Sequence, residues 1–146
     1  MSSIPRHDPI AALNQVLSEV IDEVTGVKQA RRAIPDTHPL HLELDRLFAD
    51  LRRWAELLIE RDQALGVSPL SVMPSVAGRT PTNLWPHGAD DEEVRLVIGA
   101  HLDRLIEHVT AALAEQDNEE SRTSLAEING ALLAHKQALN TVAGKD

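Results

Sequence analysis

Among the residues in the segment 41–62 that are of metal-binding types, four stand out by their spacing: His41, Asp45, Glu56 and Glu60. They form two pairs, and the residues within each pair are four positions apart. Imidazole together with carboxylates is a ligand set that suits iron or zinc. Asp45 and Glu56 are eleven positions apart, which corresponds to about 16 Å along a helix. A single ion within one chain therefore cannot contact both pairs.

These four residues, called the ligand strip below, share one side of a predicted helix. At about 100° per residue, they span an arc of roughly 100° that borders the apolar face of the helix. If two copies of this helix pack antiparallel about a two-fold axis near Leu51 or Arg52, the first pair of one copy faces the second pair of the other. The strip then predicts two identical metal sites, each shared between two subunits.

A second interpretation of the strip needs no metal. Acidic residues on a helix usually face solvent, and Arg52, Arg53 and Arg61 are close enough in sequence to pair with them. In that case the strip is a solvated face or a structural interface. Spacing alone leaves both interpretations open.

The composition predicts a single helical domain, residues 1–146, with residues 1–7 as a flexible tail. Aromatic residues make up only 2% of the chain, so aliphatic side chains must fill the core, which favours helix packing. The absence of cysteine excludes thiolate metal sites and fits a reducing cytoplasm. The net charge of −9 argues against coating nucleic acid through the overall field. No apolar run approaches the ~20 residues that cross a membrane.

The elements that must position the strip are four long amphipathic helices. Asp8 and Thr37 are the candidate N-caps of the first two, and Gly66 is the stop signal of the second. A long connection, about residues 67–88, separates the second helix from the third, with a short helix predicted near 71–77. This order of short, long and short connections predicts an all-α, ferritin-like four-helix bundle. The predicted helices are about 8–34, 37–65, 90–116 and 119–142.

The second helix also carries a family pattern. It reads His41–x3–Asp45–x10–Glu56–x3–Glu60–Arg61–x3–Leu65–Gly66, and in this it resembles the Dps family of ferritin-like mini-ferritins, the DNA-binding proteins from starved cells. The segments KQARRAI (28–34) and SPLSVMPSVAGRTPTNL (68–84) resemble the end of that family's first helix and its middle crossover. The similarity extends from about residue 11 to residue 139.

The resemblance implies a cytoplasmic shell of twelve subunits that oxidises ferrous iron, commonly with hydrogen peroxide, stores ferric mineral and protects against oxidative stress. It implies ferroxidase sites at two-fold interfaces, with His41 and Asp45 from one subunit and Glu56 and Glu60 from its partner. Many family members bind DNA, which makes the nucleoid a second expected location. The tails of this chain offer few basic residues, so DNA is expected to be a minor partner.

The chain departs from the family pattern at the end of the first helix. The family has Ala-His-Trp there, with the histidine as an iron ligand, whereas this chain has Ala30-Arg31-Arg32. Arginine stays protonated and cannot bind a metal. His38, in the following loop, is a candidate replacement. Arg31 keeps open a second function, that of a Dps-like structural or binding protein that has lost ferroxidase activity.

Other candidate chemistry is sparse. His101 and His108, seven positions apart, lie about 10 Å apart along the helix and cannot share one ion. We expect them to be exposed or paired with other side chains. The acidic turn of Asp117, Glu119 and Glu120 resembles the place where the family lines a three-fold pore with carboxylates, but acids also stabilise a helix start by interacting with its dipole.

Overall fold

Four long helices make up most of the described part of the chain. A computed structural model describes residues 8–67 and 90–143, and within them there is no strand. The predicted all-α four-helix architecture is confirmed. The predicted short helix at 71–77 and the tail at 1–7 lie outside the described residues. The helices are α1 (Pro9–Ala33), α2 (Pro39–Ala64), α3 (Asp91–Glu115) and α4 (Glu119–Ala143).

Local capping chemistry sets where the helices begin and end. Asp8 caps α1 as predicted, because its carboxylate accepts a hydrogen bond from the Ala11 N–H at 3.0 Å. The prediction of Thr37 as the cap of α2 is wrong. His38 caps that helix, with Nδ1 accepting from the Leu40 N–H at 3.0 Å. Pro39 then takes the first helical position, where its missing N–H costs nothing.

The core is aliphatic, as the low aromatic content predicts. One large aromatic side chain, Trp54, is fully buried among the leucines and isoleucines of all four helices. Burying such side chains stabilises the fold by roughly 1.5–3 kcal/mol each. The fully buried leucines and isoleucines are Leu13, Leu17, Leu40, Leu44, Leu47, Leu51, Leu58, Ile98, Leu102, Leu125, Ile128 and Leu132.

Side-chain contacts show the directions of the helices. Glu19 lies beside His108 and Glu23 beside His101, so α1 and α3 run antiparallel. Arg31 contacts Asp45 across the short turn between α1 and α2, which are antiparallel as well.

The second and third helices therefore run in the same direction. His38 at the start of α2 pairs with Asp91 at the start of α3, with 3.0 Å between Nε2 and Oδ2. The residues that flank the connection, Val67 and Asp90, consequently belong to opposite ends of the bundle. None of the described helices combines the length and apolarity that a membrane span requires.

Candidate functional site

The ligand strip lies along α2 with its two halves in different environments. His41 and Asp45 are half-buried near the turn that joins α1 to α2, whereas Glu56 and Glu60 are exposed further along the helix. The structure brings the first pair together and leaves the second pair apart from it. Within one subunit, the described residues contain no group of three or more His, Asp or Glu side chains that could hold a metal ion. A metal site on this strip therefore requires a second subunit.

A contact with the backbone fixes the orientation of the His41 ring. Its Nδ1 lies 2.9 Å from the carbonyl oxygen of Ile34, and because a carbonyl only accepts, Nδ1 carries the hydrogen. This tautomer leaves the lone pair on Nε2. Metal-binding histidines are commonly held in this way, with the second ring nitrogen donating to a carbonyl. The contact thus prepares Nε2 to act as a ligand atom.

A contact with Arg31 fixes the orientation of the Asp45 carboxylate. The Arg31 Nη1 donates to Oδ1 of Asp45 at 3.1 Å, and the guanidinium carbon lies 4.7 Å from the centre of the Phe48 ring. The arginine that departs from the family pattern therefore contacts the ligand strip directly. It engages one oxygen of the carboxylate, and Oδ2 faces His41.

The two facing atoms are spaced for a shared ion. His41 Nε2 and Asp45 Oδ2 are 3.7 Å apart. An ion about 2.1 Å from each, the usual length for zinc bonds to such atoms, would see them at an angle of roughly 120°. This angle fits tetrahedral or five-coordinate geometry. Two ligand atoms alone bind a metal weakly, so this arrangement amounts to half a site.

The exposed half of the strip is unpaired. In the part of the chain that the structure describes, Glu56 and Glu60 form no ion pair. The arginines that the sequence offered as partners are engaged elsewhere. Arg53 contacts Asp50 at 3.3 Å, Arg61 contacts Glu120 at 2.9 Å, and Arg52 lies over the Phe48 ring at 5.8 Å. Those three arginines therefore do not neutralise the two glutamates within the subunit.

The histidines outside the strip that the structure describes lie beside carboxylates. His101 Nδ1 lies 2.8 Å from Glu23 Oε1, and His135 Nε2 lies 2.7 Å from Asp50 Oδ2. His38 is also engaged at both nitrogens, by Leu40 N–H and by Asp91, so it does not replace the missing ligand. The partners lie on other helices, and for that reason spacing along one helix did not reveal them.

One buried carboxylate was missed by the sequence analysis. Asp62 has no exposed surface, and burial raises its pKa from 3.8 to about 6. In the amide orientation that satisfies both groups, Asn14 donates hydrogen bonds to both of its oxygens. The helical wheel indicates this burial, because Asp62 lies about 300° from His41, within the apolar arc of α2. The Asp62 carboxylate therefore lies in the core and is not part of the strip.

The acidic turn before α4 has a structural role within the subunit. Asn118 accepts from the Ser121 N–H at 2.9 Å and so caps the helix. Glu119 and Glu120 occupy its first turn, where they interact favourably with the helix dipole. The turn and Glu60 line an open depression of about 610 Å³. Arg61 lines the depression as well, so Glu60 has both acidic and basic neighbours there.

Comparison with known proteins does not assign the chain to a group. No protein-family model matches it. No curated protein matches it either. The functional argument therefore depends on the geometry of the strip and on the resemblance in its sequence.

Proposed function

We propose that this chain is a Dps-like protein that forms a ferritin-like cage from two-fold dimers and oxidises ferrous iron at the dimer interfaces. Each site combines His41 and Asp45 of one subunit with Glu56 and Glu60 of the partner subunit. Ferrous iron is the substrate, hydrogen peroxide the expected oxidant, and stored ferric iron the product. The protein would thereby protect the cytoplasm against oxidative stress.

The main support for this proposal is that contacts hold His41 and Asp45 in orientations that suit a metal ion. Their facing atoms, Nε2 and Oδ2, are 3.7 Å apart, and each side chain is fixed at its other polar atom. A surface pair without a ligand has no need for two such restraints. Ligand atoms held in place before binding lose less conformational freedom when the metal arrives.

The unpaired glutamates support the sharing of the site. Glu56 and Glu60 are exposed and lie one helical turn apart, as His41 and Asp45 do. A two-fold axis across the middle of α2 brings each glutamate pair to the partner's His41 and Asp45. The resulting set of one imidazole and three carboxylates suits iron.

The helix directions agree with a ferritin-like bundle. Both α1–α2 and α1–α3 are antiparallel, so α2 and α3 are parallel and the residues flanking their connection lie at opposite ends. A long crossover between the second and third helices is typical of ferritin-like folds.

A complementation experiment tests whether the site is shared. One variant carries His41→Gln and Asp45→Asn, and the other carries Glu56→Gln and Glu60→Gln. Each variant alone should fail to oxidise ferrous iron. Random co-assembly of equal amounts should restore about a quarter of the wild-type sites, because half of the dimers are mixed and each mixed dimer has one intact site of two. The Glu127→Gln variant, altered at an exposed position on α4, serves as the active control.

Failure of the mixture would contradict the shared site. If the four residues act within one subunit, every subunit in the mixture lacks part of its site and no activity returns. If both variants remain as active as wild type, the strip has no role in oxidation and the proposal is wrong.

The Arg31–Asp45 contact favours a second candidate function. A guanidinium bound to Asp45 at 3.1 Å resembles a structural ion pair, and across a two-fold interface the same arginine can pair with Glu60 of the partner subunit. The chain would then be a Dps-like structural or binding protein, located at the nucleoid if it binds DNA. An Arg31→His variant that gains iron oxidation over an inactive wild type would support this candidate.

A further inference from the structure

We propose that Arg31 is a positioning residue for the metal site. It holds Asp45 in the orientation in which Oδ2 faces the ion. This inference depends on the proposed function, since it assigns a role to a residue that binds no metal itself. It differs from the second candidate above, in which Arg31 takes the place of the metal.

Two contacts fix the Arg31 side chain. Its Nη1 donates to Asp45 Oδ1 at 3.1 Å, and its guanidinium lies over the Phe48 ring at 4.7 Å. Stacking on an aromatic ring and donation to a carboxylate are both favourable for a planar guanidinium. The side chain is only 29% exposed, so the guanidinium is held rather than free in solvent.

The contact with Oδ1 fixes the orientation of the carboxylate. The terminal torsion of an aspartate is broad, so an unrestrained carboxylate on a helix surface samples many orientations. With Oδ1 bound to Arg31, Oδ2 faces His41 Nε2 at 3.7 Å. The arginine therefore selects the orientation in which both ligand atoms can reach one ion.

The end of the first helix positions both ligands. Arg31 is in the last turn of α1, and Ile34 is its C-cap residue. The carbonyl oxygen of Ile34 fixes His41 at 2.9 Å, while Arg31 fixes Asp45. Two ligands on α2 thus receive their orientation from one short segment of the chain. Outer-shell contacts of this kind commonly contribute 10–100-fold to metal affinity.

Arg31 also sets the charge of the shared site. Asp45 and the partner subunit's Glu56 and Glu60 contribute three negative charges. One divalent cation and one guanidinium balance them, whereas a second divalent cation would leave excess positive charge. We therefore expect one divalent ion for each site, which is two for each dimer.

Cobalt(II) titration tests this role without any oxidation step. Wild-type protein and the variants Arg31→Gln, Arg31→Lys and Arg32→Gln are titrated with cobalt(II) chloride, and the visible d–d absorption is recorded. Arg31→Gln should weaken cobalt binding by about 10-fold or more and change the shape of the absorption band. Arg31→Lys should fall between this variant and wild type, since it keeps the charge but loses the planar guanidinium. Arg32→Gln, at an exposed neighbouring position, should leave both unchanged.

Two outcomes overturn the inference in distinguishable ways. If Arg31→Gln binds cobalt as tightly as wild type or more tightly, with the same absorption band, Arg31 does not position the ligand and the proposed function stands. The proposed function fails if wild-type protein binds no cobalt, or if the His41→Gln variant binds cobalt as well as wild type does. The role of Arg31 then fails with it. Thermal unfolding of each variant identifies any loss of fold, and Arg31→Lys decides the question if Arg31→Gln is unstable.

Discussion

Histidines and carboxylates meet in two regions of this bundle, and the two regions are built differently. Between α1 and α3, Glu23 lies beside His101, and their side chains are only 9% and 10% exposed. On the outer face of α2, Glu56 and Glu60 are exposed and form no ion pair in the described part of the chain. In the first region the carboxylate is buried and has its partner within the subunit. In the second region the carboxylates are accessible to another molecule.

The difference separates a structural role from a functional one. A buried carboxylate is tolerated only with a partner, so pairing between α1 and α3 fixes how these helices pack. The unpaired carboxylates of Glu56 and Glu60 serve no such purpose within the subunit. The comparison thus places the candidate chemistry on the outer face and the structural pairs inside.

The largest effect should follow from breaking a closed pair. Glu23→Ala leaves the His101 imidazole in the bundle without that carboxylate and leaves a cavity where the side chain was, so we expect a loss of roughly 2–4 kcal/mol in the free energy of unfolding. Urea denaturation at pH 7 measures it. The control is Glu92→Ala, which removes the contact between an exposed carboxylate and Arg95 and should cost less than about 1 kcal/mol. Equal losses in the two variants would erase the distinction between the regions.

The buried Asp62 predicts that the stability of the bundle depends on pH. Its pKa is raised to about 6 from 3.8, so between these values the folded state binds more protons than the unfolded state. Stability should therefore fall as the pH rises through this window, by up to about 3 kcal/mol, and stay level above it.

The variant Asp62→Asn isolates this effect. Urea denaturation of wild type and variant at several pH values from 4 to 7 should give a free-energy difference that grows in favour of the variant as the pH rises. Asp36→Asn, at an exposed position in the turn before α2, is the matched control and should show no such growth. A difference for Asp62→Asn that is constant with pH would contradict the raised pKa.

A smaller effect is expected on the outer face, and it should appear in binding instead of stability. Glu56→Gln removes one of three carboxylates from the proposed shared site, and we expect ferrous iron affinity to fall by at least about 10-fold, which is roughly 1.4 kcal/mol. The free energy of unfolding should change by less than about 0.5 kcal/mol, because the side chain is exposed. Isothermal titration under anaerobic conditions measures the affinity. Loss of stability with unchanged affinity would give Glu56 a structural role.

Local chemistry explains which parts of the fold were predictable. The cap at Asp8, the start of the third helix near Asp90 and the stop before Gly66 depend on residues within one turn of the helix end. The structure has α1, α2 and α3 within about two residues of the expected bounds. Gly66 has a φ of 83°, the left-handed conformation that favours glycine at a helix end. Thr37 failed as a cap because Pro39 takes the first helical position, which makes the residue just before it, His38, the cap, although threonine is the more usual capping residue.

Contacts between helices were not predictable in the same way. The pairs His101–Glu23 and His135–Asp50 depend on the rotation and relative height of two helices, and one sequence specifies neither. Arg31 illustrates this limit most clearly. The sequence marked it as a departure from a family pattern, but only the structure shows which oxygen of Asp45 it contacts and which oxygen it leaves facing His41.

Anaerobic titration of the purified protein with ferrous iron, followed by hydrogen peroxide, tests the central claim most directly. The assembly mass is measured on the same sample. The account predicts a homo-oligomer built from dimers, saturable binding of two ferrous ions for each dimer, and ferric absorbance that rises much faster than in buffer. Oxidation at the rate of buffer by an intact oligomer would contradict it and leave the fold without the proposed chemistry.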